Sequence, residues 1–260
     1  SYSYDGRSVT FIPLDSTAAL PTAVQCAQWA ETMALPFATW LRPDSATTWE
    51  PHNKLRAWFP AGAVAQRMPL VYKEEKAEHL PQALSPIYTL GQPSAPLQQR
   101  FVLRIQPESR GYGYPARQRV LMQLEDDGDL SRVSLNDRGA GRCSSFGRYV
   151  LMLDETPPRI LGLNVASGLT LAPGQSSLKF RVQDKLSGVD PYSISLRLDG
   201  LWVVGEYYSY NEYVEHHLVQ PLSPGQYMAI LQAKDYAGNR QLQKFTFTVP
   251  AAPAAAKGGR

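Results

Sequence analysis

The chain has 260 residues, 43% hydrophobic and 19% charged, enough apolar side chain for two packed domains and too much for wholesale disorder. Twenty-six basic against 23 acidic residues leave a net charge of +3, so nothing in the balance suggests a phosphate-binding surface or a nucleic-acid partner. No run approaches the ~20 unbroken apolar residues of a membrane helix, and 21 prolines and 19 glycines leave no room for long helices.

Residues 1–50 are cut by Pro21, Pro36 and Pro43 into pieces too short to fold alone. Ser8–Ile12 reads as a strand ended by Pro13, and Val24–Met33 fits either a short helix or a strand. Trp29, Phe37, Trp40 and Trp49 need burial, so this stretch is expected to pack on the strands downstream of it or to complete a preceding domain. The start at Ser1, without methionine or an apolar leader, points to a removed signal segment or a piece of a longer polypeptide.

From residue 51 to 154 strand signals dominate. Leu55–Phe59 and Phe101–Ile105 are short β runs between prolines and polar turns. Arg119–Leu124 and Leu130–Leu135 flank an acidic Asp-Gly turn, and Arg148–Leu153 closes the set. Lys73–His79 is charged and lacks β-branched residues, which predicts a loop or a single helical turn. Asp154-Glu-Thr-Pro-Pro158 reads as a rigid linker, because consecutive prolines hold the backbone extended.

Beyond the linker, Leu178–Val182 alternates with period two, as do Ile194, Leu196 and Leu198. Asp199-Gly200 turns into Leu201–Val204, and Tyr213–Val219, Gln226–Ala233 and Leu242–Val249 add further strands. Turn signals recur at roughly the 8–12-residue spacing of an antiparallel sandwich. Cys26 and Cys143 permit a single disulfide, and their pairing is left open; two buried or free thiols are the simpler reading. No CxxC or Cys/His spacing exists, so a zinc knuckle is excluded.

Asp184-Lys-Leu-Ser-Gly-Val189, Leu198-Asp-Gly-Leu-Trp202, Leu222-Ser-Pro-Gly-Gln-Tyr227 and Ala233-Lys-Asp-Tyr-Ala-Gly-Asn239 resemble bacterial immunoglobulin-like modules. With Phe146-Gly-Arg-Tyr-Val-Leu-Met-Leu-Asp-Glu-Thr-Pro-Pro158 ahead of it, the series resembles the region downstream of the catalytic domain in secreted lysostaphin-type zinc metallopeptidases. Phe59-Pro-Ala-Gly-Ala63 and Ser85-Pro-Ile-Tyr-Thr-Leu-Gly91 resemble the middle module of those proteins. The expected fold is therefore all-β, in tandem β-sandwich modules. Residues 1–50 form an N-terminal segment, 51–154 a middle module, 155–250 an immunoglobulin-like sandwich and 251–260 a flexible tail.

The zinc-binding motifs of that peptidase family are an H-x-x-x-D pair and a later H-x-H pair. Here His52 is followed four residues on by Arg56 and His79 by Ala83, while His216 and His217 are adjacent and point to opposite faces of a strand. No G-x-S-x-G elbow occurs either. The chain is expected to be no enzyme and to need no metal or cofactor. Asp126, Asp127 and Asp129 around Gly128 read as a hairpin turn before a calcium loop, since no terminal glutamate follows. Asp184, Asp190, Asp199 and Asp235 sit at strand ends; they could gather at one pole, but capping turns is the plainer role.

Trp202, Tyr207, Tyr208, Tyr210 and Tyr213 are the candidate ligand- or partner-binding residues, against the alternative that they fill the sandwich core. Arg110-Gly-Tyr-Gly-Tyr-Pro115 with Arg117 and Arg119 could meet an anionic polymer, or be a loop with solvated charges. The expected function is a non-catalytic scaffold or binding module, periplasmic, outer-surface or secreted, associated with a cell-wall peptidase or larger envelope assembly. A carbohydrate- or peptidoglycan-binding module and an accessory subunit of an envelope complex are the alternatives. An envelope protein or a cell-wall polymer is the expected partner.

Overall fold

The computed structural model describes residues 2–4, 7–9, 19–26, 31–136, 138–172 and 174–251. These residues are all-β apart from two short 3-10 turns, Ser109–Gly113 and Ala116–Gln118. No helix among them is long and apolar enough to cross a membrane. The chain divides into two compact units, residues 1–112 with 121–152, and residues 113–120 with 153–260.

The first unit holds two antiparallel sheets. One has the order Gly141–Cys143, Phe101–Ile105, Leu55–Phe59, Thr47–His52; the other Leu130–Val133, Arg119–Leu124, Gly147–Leu153, Ile87–Leu90, Met68–Glu75, Phe37–Leu41. Period-two alternation decides which side faces in: Leu55, Ala57 and Phe59 are buried while Arg56 and Trp58 point out. The sheets meet through aromatic rings. Phe101 stacks on Phe59 at 4.8 Å and meets Tyr149 of the other sheet edge-on at 6.0 Å.

The first unit also takes in two short strand pairs, Tyr2–Tyr4 with Arg7–Val9 and Ala23–Cys26 with Glu31–Ala34. Of the two forms open to Val24–Met33, helix or strand, the described residues 24–26 and 31–33 adopt strand, paired antiparallel. The expected Ser8–Ile12 strand is described only to Val9, and Trp29 lies outside the described residues. Phe37–Leu41 and Thr47–His52 are ladder strands of the first unit's sheets, which half-buries Phe37, Trp40 and Trp49.

Lys73–Glu75 corrects the expectation of a loop or helical turn over Lys73–His79, which holds only for residues 76–79. The strand Met68–Glu75 runs through Lys73, Glu74 and Glu75, because Tyr72–Glu75 pair in register with Leu90–Ile87. Ladder bonds outweigh the weak strand propensity of charged residues when the side chains can stay in water. Arg148 then pairs with Glu75 at 3.1 Å. The acidic Asp126–Asp129 stretch is a hairpin turn, with the Asp129 N–H donating to Asp127 Oδ1 at 3.0 Å.

Cys143 carries a free thiol, 1% exposed, and burial pushes its pKa up to about 12. Only the thiolate is a nucleophile. Cys143 should therefore resist iodoacetamide in the native protein at pH 8 and react on unfolding; peptide mapping that finds it alkylated in the folded chain would contradict this.

The second unit is a sandwich of a four-stranded sheet, Arg159–Gly162, Ser177–Gln183, Tyr213–His217, Glu206–Tyr208, and a five-stranded sheet, Leu169–Thr170, Arg240–Val249, Gly225–Asp235, Val189–Leu198, Leu201–Val203. All pairs are antiparallel except Leu169–Thr170 with Arg240–Val249. Phe180 meets Phe245 across the sheets at 5.1 Å, among Leu178, Val182, Leu196, Val214 and Leu231. Pro191 is accommodated within Val189–Leu198 because it falls where the ladder register shifts between Asp190 and Ser195.

Asp154–Pro158 departs from the simple linker expected of it. Asp154 is 0% exposed, and its N–H donates to the Gln118 carbonyl at 2.8 Å, so the segment starts as part of the second unit's packing.

Candidate functional site

The segment 201–208 passes from one sheet of the second unit to the other. Leu201–Val203 is the edge strand of the five-stranded sheet and Glu206–Tyr208 the edge of the four-stranded one. His216 Nδ1 lies 2.7 Å from the Val204 carbonyl and pins the crossing. A Cβ at Gly205 would lie 2.8 Å from Val214 Cγ1, so the close approach there suits glycine alone.

This crossing separates the five candidate aromatics. Tyr207 packs against the core, and its hydroxyl donates to the Val182 carbonyl at 3.3 Å. Desolvation there holds its phenol above the usual range. Tyr208 and Tyr213 stack at 4.8 Å with 20° between their planes. Tyr208 donates to Glu206 Oε2 at 2.8 Å, a bond that raises the phenol pKa. Lys179 Nζ sits 5.4 Å from the Tyr213 ring and 3.3 Å from Glu215 Oε1. Glu215 is held below the ordinary carboxylate range, first by the Ser177 side chain and then by Lys179.

Trp202, 65% exposed, and Tyr210, 96% exposed, stand in solvent. Tyr210 belongs to the turn 209–212, where Glu212 adopts φ +54°. One candidate therefore serves the core, two form a stacked pair, and two are exposed singly. His216 and His217 take different partners, His217 lying 3.9 Å from Glu215 Oε1.

A second constellation forms from acidic side chains. Carboxylate oxygens of Asp154, Asp184 and Asp235 all lie within 4.8 Å of one another. Asp154 accepts the Thr156 N–H at Oδ1 (3.1 Å) and the Ser187 N–H at Oδ2 (3.0 Å). Asp184 Oδ1 accepts the N–H groups of Leu186 (3.2 Å) and Gly188 (2.7 Å). Asp235 accepts the Asn239 N–H at Oδ1 (2.7 Å) and its Nδ2 at Oδ2 (2.8 Å). Asn239 Nδ2 also donates to the Asp154 carbonyl at 3.1 Å, and Ser187 Oγ accepts the Ala237 N–H at 3.2 Å.

This knot ties together the chain entry at 154–156, the 184–188 turn and the 235–239 turn. Burial raises the pKa of Asp184 and of Asp235, and the Asp154 charge raises both further. Hard carboxylate oxygens are the donor type that suits a cation such as Ca²⁺, yet the oxygens described here already accept N–H groups of the protein. The capping role expected of Asp184 and Asp235 is what the geometry displays, and the two also gather at one pole. Asp190 caps its own turn, accepting the N–H of Tyr192 (3.1 Å), whereas Asp199 departs from the expected local cap and accepts the N–H of Met228 on the neighbouring strand (2.8 Å). Asp154 was missed because the Pro-Pro pair after it read as a linker; a lone Asp beside such a pair carries no local sign of burial.

In the basic-aromatic stretch, Arg117 and Arg119 are tied to backbone within the second unit. Arg117 Nε donates to the Ala237 carbonyl at 3.2 Å and Arg119 Nη2 to the Tyr114 carbonyl at 2.8 Å.

The fold and these sites define a two-unit β-sandwich protein. No protein-family model matches the sequence, and no curated protein matches it. Among solved structures, CopC from Methylosinus trichosporium OB3b is 18% identical over 35% of this chain and 94% of that one, with a TM-score of 0.29. The extracellular domain of the one-component system BT4673 from B. thetaiotaomicron is 10% identical over 84% of this chain and 36% of that one, TM-score 0.26. Drosophila OTK extracellular domains 3–5 are 11% identical over 76% and 69%, TM-score 0.21. Scores this low identify no relative.

Proposed function

We propose that the chain is a non-catalytic module of the bacterial envelope or exterior, periplasmic, outer-surface or secreted, that positions a cell-wall peptidase or an envelope partner by surface contact. The observation that carries this reading is the knot itself. Asp154, Asp184, Ser187, Asp235 and Asn239, drawn from the stretches that resemble peptidase-associated immunoglobulin-like modules, form one hydrogen-bonded hub. A hub of that kind makes the second unit a rigid spacer, which is what a positioning module requires. The purified chain should leave peptidoglycan sacculi uncleaved with or without added Zn²⁺. Metal-dependent release of soluble muropeptides would refute the proposal.

A second reading, carbohydrate or peptidoglycan binding through the second unit, is favoured by the stack of exposed Tyr208 on half-buried Tyr213 and by the solvent-facing Trp202. Flat rings of this kind stack on sugar faces at small entropic cost. Sacculus binding that falls in both Tyr208→Ala and Trp202→Ala, with unchanged Tm, is the expected result for this reading. Binding that survives both substitutions would set it aside. Stable co-purification with another envelope protein would instead favour an accessory subunit.

A further inference from the structure

The outer face of the first unit's four-stranded sheet bears a groove of about 300 Å³ lined by Arg56, Trp58, Val102, Arg104, Asn136 and Arg138. Strand alternation places these residues outward. Leu55, Ala57, Phe59, Leu103 and Ile105 are buried, so Arg56, Trp58 and Arg104 project from the opposite side. Arg56 and Arg104 are direct cross-strand partners, as are Trp58 and Val102. Like charges placed opposite one another destabilise a ladder, so the free protein holds a repulsive pair at the groove floor.

Among the described residues one carboxylate offsets part of that charge. Glu50 approaches Arg56 at 3.7 Å, but both side chains are about half exposed or more, and ion pairs of that kind contribute little. With its amide oxygen turned toward Arg104, Gln106 accepts from that guanidinium at 3.1 Å, a neutral partner that leaves the charge in place. Arg138 is carried on a turn whose backbone is held by Asn136 Oδ1, which accepts the N–H groups of Arg138 (2.9 Å) and Ala140 (3.1 Å). Arg142, exposed on the neighbouring strand opposite Val102, extends the positive face. Among these residues Trp58 is 41% exposed.

We propose that this groove binds an acidic saccharide, with a sugar ring on Trp58 and its anionic group held by Arg56, Arg104 and Arg138. Guanidinium forks pair with carboxylate or phosphate through two parallel hydrogen bonds, and an anion between Arg56 and Arg104 turns their repulsion into a shared attraction. The single aromatic and the short groove fit one or two sugar rings and leave no stacking ladder for nucleic-acid bases. The site belongs to the first unit and stands independently of the positioning role proposed above.

The test is calorimetric titration of the whole chain with two acidic probes, an oligogalacturonate and a glucosylated poly(glycerol phosphate), which separate a carboxylate source from a phosphate source. Neutral chitohexaose, inorganic polyphosphate and single-stranded DNA are the controls. Binding of either acidic probe that weakens with salt is expected. Trp58→Ala and Arg104→Gln should each weaken it about tenfold or more, the size typical of a central contact, and Trp58→Phe should retain most of it. Unchanged Tm in all three variants reports that the fold is intact. The proposal is overturned if neither acidic probe binds, if chitohexaose, polyphosphate or DNA binds as well, or if Trp58→Ala leaves the affinity unaltered.

Discussion

Asp154→Ala is expected to lower the unfolding free energy of the second unit by about 1–2 kcal/mol, because an orphaned buried N–H costs about 1–3 kcal/mol and a lost turn cap somewhat less, while relief of the repulsion from Asp184 and Asp235 offsets part of the loss. The buried orphan is the Ser187 N–H, and the exposed one is the Thr156 N–H. Trp202 lies in the second unit and Trp40, Trp49 and Trp58 in the first. Urea denaturation followed in a chain retaining only Trp202 therefore reads the affected unit directly. A change under about 0.5 kcal/mol, the size of an ordinary surface substitution, would mean that the knot does not hold the turns together.

The same knot has a pH signature whose sign runs against ordinary acid denaturation. Asp184 and Asp235 have folded pKa values raised above the ordinary 3.8, so each binds its proton more tightly when folded. Their stabilising contribution is complete below pH 3.8 and is lost as pH rises through the higher folded value. Asp184→Asn keeps an acceptor for the Leu186 and Gly188 amides and removes the charge. It should be more stable than the wild type at pH 7, and the gap should close on acidification. A gap that widens toward low pH would reverse the assignment.

Phe101→Ala carries the largest expected cost in the first unit, about 3–5 kcal/mol for an aromatic removed from a packed core. Phe101 is 0% exposed and touches Phe59 of its own sheet, Phe146 and, across the sandwich, Tyr149. Few neighbours can collapse into the space, since Phe59 and Tyr149 are themselves held on paired strands. Chemical denaturation followed by the first-unit tryptophans measures it. A loss below about 1 kcal/mol would show that the two sheets are not joined there.

Strands whose side chains alternate between core and water were legible in the sequence because the signal is local. Leu55–Phe59, Phe101–Ile105 and Ser177–Gln183 each carry the period-two pattern within one short run. Lys73–Glu75 lacked that signal, since only the neighbouring Ile87–Leu90 makes it a strand. Thr47–His52 and Phe37–Leu41 likewise take their place from partners, Leu55–Phe59 and Met68–Glu75, that supply the hydrogen bonds. Of the candidate aromatics, residue type alone could not tell Tyr207, anchored to Val182, from Tyr210, which stands exposed in a turn.

What the sequence determined by itself was the class of fold: prolines and glycines spaced against helices, alternating apolar residues, and Asp-Gly and Gly-Asn turns at sandwich rhythm. It also marked Asp184 and Asp235 as turn-capping residues. Only the tertiary structure decided that Asp154 joins them, that Arg56 faces Arg104 across a ladder, and that Trp58 lines the same groove as the arginines. The physical reason is the same in each case. A cap or an alternation is set by neighbours along the chain, whereas a knot or a charged groove depends on which distant strands lie side by side.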